Sequence, residues 1–225
     1  MKMELKHKLW SKQQKVFRRI LLSFEGHKKT IELFMVQHGV LHSSEVDESL
    51  PWSFEDEVLS DMTKDQIRRI PVNCEHSIAW LIWHIARIED VSMNMLVAGA
   101  PQLLHHDGWF ERMQVRARDT GNAMTEEGVV DLSDRINLEE LRAYRVAVGR
   151  RTREIVNQLL PEDLKRKVSP SRLQKVMDVG AVIEAARGLI EYWGKRNIAG
   201  LLLMPATRHN FVHLNEALRL KHRRK

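Results

Sequence analysis

The hydrophobic positions fall into four runs with helical spacing. In the first, Leu9, Val16, Ile20, Phe24, His27, Ile31, Phe34 and His38 recur in steps of three, four and seven. That is the stripe of one amphipathic helix over residues 8–41. His27 interrupts its apolar face, which predicts a side chain pointing inward, satisfied by a hydrogen bond or lining a polar cavity. The pattern lapses between His42 and Asp61, where acids gather and Leu50-Pro51-Trp52-Ser53 reads as a turn. The second run, IAWLIWHIARIEDVSMNML from Ile78 to Leu96, is apolar on nearly every side in its first half. It predicts a central helix over 74–98, capped by Asn73 or Ser77 and stopped before Pro101. The third, Leu138, Leu141, Val148, Thr152, Ile155 and Leu159, predicts a helix over 137–160 that Asn137 opens and Pro161 ends. The fourth, Val179, Val182, Ala186, Leu189, Ile190 and Trp193, predicts a last helix over 179–222, capped by Asp178 and broken near Met204-Pro205.

The connections are unequal. Adjacent antiparallel helices need about 2–8 linking residues. The stretch from Pro101 to Ile136 is far longer, with short helices predicted at Trp109–Met113 and Thr125–Ser133. Such a length permits a crossover along a bundle, so that the second and third helices run parallel. The paired His105-His106 within it reads as solvent-facing, with contact to a ligand as the alternative. Pro161 to Val176 reads as a basic linker. No strand-like alternation and no internal repeat is found, so the expectation is an all-α fold occupying residues 1–225 as a single helical domain.

Composition narrows the chemistry. Cys74 is the only cysteine, which excludes an internal disulfide, suits a reducing cytoplasm and leaves any metal to histidines and carboxylates. The charged opening MKMELKHKLWSK lacks the apolar core of a signal peptide, and no stretch is apolar for long enough to span a membrane. The net charge of +6 is concentrated in Arg142–Arg153, Lys165–Lys175 and the tail Lys221-His222-Arg223-Arg224-Lys225. Without helix-turn-helix spacing or an aromatic-basic strip, this charge reads as solvated helix faces rather than a nucleic-acid interface. Trp10, Trp52 and Trp109 are candidates for spare apolar surface, hence for a homodimer.

The residues with the most chemical content are His209 and His213. Spaced i, i+4 in RHNFVHLNEA, they share one helix face and can grip one divalent ion. Between them stands Asn210, where the zinc-peptidase pattern H-E-x-x-H carries its general base, so peptidase chemistry is not implied. His84 lies in the apolar half of the second helix and needs partners for its ring nitrogens, from a metal or from a neighbouring helix. Glu89, Asp90 and Glu216 are nearby carboxylates, read as surface groups or as groups supporting a site rather than as catalytic bases. The two Glu-x-x-His motifs that a ferritin-type carboxylate bundle needs do not occur.

The segment SIAWLIWHIARIED, the long crossover and the closing RHNFVHLNEA together resemble the DinB-like (YfiT-like) metalloenzyme family. The resemblance implies a four-helix bundle with an up-down-down-up path, frequently dimeric, and a divalent ion held by three histidines. Carried across by position, these are His84, His209 and His213. It also implies a metal-dependent enzyme acting on a small molecule, by thiol S-transfer or by hydrolysis. Zinc, nickel or iron would be the ion, and imidazole donors would equally take up copper. The wider family includes enzymes that use bacillithiol or mycothiol, but no motif assigns this chain to them. The competing expectation is a non-catalytic binding or stress-response bundle, in which the ion holds helices together.

Overall fold

Twelve α-helices stand among the described residues of the structure, a computed structural model that describes residues 3–23 and 26–223. In chain order they are α1 (Met3–Ser23), α2 (His27–Gly39), α3 (Phe54–Leu59), α4 (Lys64–Arg68), α5 (Ile78–Asp90), α6 (Trp109–Arg112), α7 (Glu126–Arg135), α8 (Leu138–Asn157), α9 (Pro170–Asp178), α10 (Arg187–Gly194), α11 (Ile198–Leu203) and α12 (His209–His222). No strand occurs among these residues; Lys167 and Asn197 form an isolated bridge. None of the described helices is long and apolar enough to cross a membrane. The fold is all-α around a helical-bundle core.

The first predicted helix is two helices. Gly26 is left-handed, with φ of 65°, and α2 starts immediately after it. The pieces pack side by side, with the Trp10 indole N–H donating to the Gln37 carbonyl at 3.1 Å and the Phe17 and Phe34 rings 6.1 Å apart. Those pairs run antiparallel. In α1 the buried positions are Trp10, Phe17 and Leu21, one residue beyond the predicted stripe, while Leu9 is 45% exposed; in α2 the predicted Phe34 and His38 are buried. Phe24 and the last two residues of the basic tail lie outside the described residues. Trp10 and Trp109 are both buried, so neither supplies an association surface.

α5 is the axis of the fold. Ser77 caps it, accepting from the Trp80 amide at 3.0 Å, and every one of its residues is buried. It continues as a π-helical segment, Val91–Ala98. Its first half packs into one apolar cluster with Leu141, Val148, Leu214 and Ala217. The apolar residues between Ile88 and Val97 belong to another, with Phe17, Phe34, Ile155 and Leu202. Leu138, Leu141, Val148, Thr152 and Ile155 of the stripe predicted for the third helix are buried in α8, which Asn137 caps, and Leu159 is buried just beyond its end. Hydrogen bonds from Arg87 to Tyr144, Arg145 to Glu89 and Arg151 to Asn94 step in the same direction along both helices, so α5 and α8 run parallel. The connection between them carries α6 and α7 close to the predicted places.

The fourth predicted helix requires correction. Asp178 ends α9, most of which lies inside the supposed linker, and does not cap a following helix. Gly180 takes φ of 67° and the chain turns; Val179 is 43% exposed. The final long element begins instead at Ile198, where the Asn197 side chain accepts from the Gly200 amide at 2.9 Å. It runs through α11, a π-helical turn at Met204–Arg208 and α12. Pro205 has no N–H to donate, and its ring displaces the regular ladder. The Thr207 hydroxyl donates to the carbonyls of Leu202 and Leu203, at 2.9 and 3.0 Å.

Candidate metal centre

Two distant segments bring three imidazoles together. His84 comes from the buried half of α5, and His209 and His213 come from successive turns of α12. The ring centroids are 5.0 Å apart for His84 and His209, 5.1 Å for His84 and His213, and 4.5 Å for His209 and His213. One donor nitrogen from each lies within 4.8 Å of the other two. All three sequence-predicted residues are therefore in one place.

Each ring is oriented by its surroundings. The His84 Nδ1–H donates to the carbonyl of Thr120 at 2.6 Å, which leaves Nε2 as a lone-pair donor. Trp80 stacks on the same ring, with centroids 4.7 Å apart and planes at 11°. Gly121 makes this contact possible. It has φ of 79°, and a Cβ there would lie 2.6 Å from the Trp83 ring, so only glycine lets the loop come in close enough to present Thr120 to His84. His213 Nδ1 lies 3.0 Å from a carboxylate oxygen of Glu216, whose other oxygen is 3.6 Å from His76. Bonded by His213 first and His76 second, the Glu216 carboxyl is pushed down to about 2. Glu216 thus orients a candidate ligand. His209 is the exception, because its Nδ1 is buried with no hydrogen-bond partner.

The electrostatics suit a cation. Burial, then the neighbouring His213, pushes the His84 imidazole down to about 3, and burial with the nearby His84 and His213 holds His209 well below its ordinary value. Both rings are neutral at physiological pH, the form that binds metal. The orphaned His209 nitrogen is a buried polar atom that costs about 1–3 kcal/mol unless something meets it. An all-imidazole donor set with no carboxylate among the three fits zinc, nickel, copper or iron better than calcium or magnesium. His84 is only 3% exposed, whereas the His213 side chain is 20% exposed, so the cluster faces solvent on the α12 side.

Behind it lies a second polar cluster that the sequence pattern did not predict. His38 Nε2 and His42 Nε2 lie 2.8 and 3.1 Å from the two oxygens of Glu89, and all three side chains are buried. Arg145 approaches the same carboxylate at 3.4 Å and donates to Glu55 at 2.8 Å. Gly149 on α8 leaves room for His42, since a Cβ there would lie 2.6 Å from its ring. Burial would raise the Glu89 carboxyl, but the charges and hydrogen bonds of His42 and His38 hold it well below the usual carboxylate range. These three residues also have metal-ligand proximity. Here, however, the donors are turned on one another and on Arg145. The signal was available in HGVLH, which has the spacing of His209 and His213.

Asn210 links the two clusters. Its amide donates to Glu89 at 2.7 Å, so the residue in the position of the peptidase base points into the core. Glu89 and Asp90 are both fully buried, not surface groups. Asp90 accepts from the Leu103 and Leu104 amides at 2.8 and 3.0 Å, anchoring the start of the crossover to α5. His105 and His106 are exposed. His27 is partly buried, but its Nε2 has no partner, so the hydrogen bond expected for an inward histidine is not made there.

No curated protein matches the chain. The sequence model of the DinB superfamily matches residues 56–217, from within α3 to the last turns of α12, and includes all three clustered histidines. With most of its length matched, this chain belongs to the DinB superfamily.

Proposed function

We propose that this chain is a metal-dependent enzyme acting on a small molecule, with His84, His209 and His213 holding one divalent ion. The observation that carries this reading is the convergence of three imidazoles from two segments more than a hundred residues apart in sequence. The ion supplies a Lewis acid that makes a bound water or thiol more acidic, which suits hydrolysis or thiol S-transfer. The chain's own residues do the rest. The Thr120 carbonyl and Glu216 fix the ring orientations of His84 and His213, and Trp80 shields His84 from water. The partly exposed His213 side is where a substrate would approach.

The same proposal covers the architecture. The hydrogen bonds between α5 and α8 support an up-down-down-up bundle built from the first hairpin, α5, α8 and the α11–α12 element, within one domain over residues 1–225. A cytoplasmic setting agrees with the single cysteine. The second reading, an ion that only ties helices together, is favoured by the fact that the cluster bridges α5 and α12.

Two measurements separate these readings. Metal-loaded protein should carry one equivalent by elemental analysis, and His84→Ala should lose it; full retention of stoichiometry and affinity in that variant would sink the site. The loaded protein should also turn over a substrate in a panel of thiol acceptors and hydrolysable esters and amides. A protein that gains thermal stability with metal but turns over nothing supports the non-catalytic reading.

A further inference from the structure

A quarter-turn around α12 from its histidine face, a groove of about 800 Å³ separates α1 from the α10–α12 region. Six cationic side chains line it: Lys15, Arg18, Lys167, Lys195, Arg196 and Arg208. No acidic residue lines it. All six are exposed, and none forms an ion pair with a described acid. Elsewhere on the surface the exposed cations Lys8, Lys64 and Arg187 do have such partners.

The fold pushes these charges together. Val168 N–H donates to the Arg196 carbonyl at 3.2 Å, and Ile198 N–H donates to the Arg166 carbonyl at 3.0 Å. This backbone clamp holds the Lys167 strand-like turn beside Lys195 and Arg196. Lys15 and Arg18 reach in from the opposite wall on α1, one turn apart, and Arg208 comes from the π-helical turn. Like charges at this spacing repel, and a concave surface concentrates their field. Apolar surface is present too: Trp10 stacks on Phe211 at 3.9 Å in the floor, and Arg196 lies 4.3 Å from the centroid of Tyr192.

We infer that this groove binds a small molecule carrying several anionic groups, such as two or more linked phosphates. Its volume lies in the ordinary range of small-molecule pockets, about 300–1,000 Å³. The cations surround a hollow rather than forming a stripe along a protruding helix, so they converge on a compact ligand instead of tracking a polymer backbone. The inference does not depend on the metal centre.

Inorganic tripolyphosphate is the probe, titrated calorimetrically into metal-free and metal-loaded protein at low salt. One molecule should bind per chain with the same affinity in both forms. Lys167→Ala/Arg196→Ala should weaken binding at least about tenfold, the loss expected when charge-assisted hydrogen bonds are removed. Lys29→Ala/Lys175→Ala removes the same net charge outside the groove and should change affinity less than about twofold. If the first pair fails to fold, Lys15→Ala/Lys195→Ala makes the same test from both walls. Absence of saturable binding, or an equal loss in the control pair, overturns the inference. So does a duplex oligonucleotide that binds more tightly than tripolyphosphate and is weakened by the same groove substitutions, since the groove would then serve a polymer.

Discussion

At the scale of single residues, the centre depends on side chains that never touch the proposed ion. Glu89 is the clearest case. It accepts from His38, His42 and Asn210, and Arg145 lies against it, so one carboxylate joins α2, α5, α8 and α12. Removing its charge leaves Glu55 as the carboxylate partner of Arg145 and weakens the contact that turns Asn210 inward. Breaking a buried ion pair from one side costs about 3–5 kcal/mol. Glu89→Gln keeps the shape and one acceptor, so a loss of roughly 3 kcal/mol is expected in urea unfolding. A change under about 0.5 kcal/mol would mean that Arg145 is fully served by Glu55 and Leu41.

At the scale of elements, close approach matters more than helix propensity. The loop holding Thr120 reaches His84 only because Gly121 combines a positive φ with the absence of a Cβ against Trp83. Gly121→Ala meets both objections. Left-handed backbone alone costs an alanine about 1–2 kcal/mol, and displacing a buried indole adds to that. The expected outcome is a loss of at least about 2 kcal/mol in stability together with weaker metal binding, because the His84 ring loses its orienting carbonyl. Gly180, also left-handed but with nothing within 4 Å of where a Cβ would stand, is the matched comparison. Gly180→Ala should cost only the backbone part and leave metal affinity unchanged.

The whole molecule should respond to acid through its buried histidines. His84 is pushed down to about 3 in the fold, chiefly by burial, whereas its unfolded counterpart protonates near 6.5. The unfolded state therefore binds a proton first, and stability falls as pH drops from about 6.5 towards about 3. From this group alone the loss by about pH 5 is roughly 2 kcal/mol. Above neutrality it contributes no pH dependence. Bound metal competes with the same proton, so the loaded protein should hold its stability to neutral pH and release the ion across the acid window. A melting temperature flat from about pH 7 down to about pH 4 in the metal-free protein would contradict this assignment.

Local pattern alone determined the all-α class, the buried stripe of α8, the central helix with Asn73 or Ser77 as its cap and the i, i+4 spacing of His209 and His213. Those features rest on periodicity and capping, which are written within a few turns of sequence. The family resemblance supplied His84 as their companion. Only the tertiary structure decided the rest. A stripe in α1 one residue from the expected one is buried because α2 folds back at Gly26, and a glycine's sign of φ is invisible to hydrophobic periodicity. The last helix starts at Ile198 because Val168 and Ile198 pair with Arg196 and Arg166, contacts that bridge some thirty residues. The His38–His42–Glu89 cluster and the Thr120 carbonyl on His84 join segments that nothing in their local sequence relates. Helices are local, but the partners of a buried polar group are chosen by which helices meet.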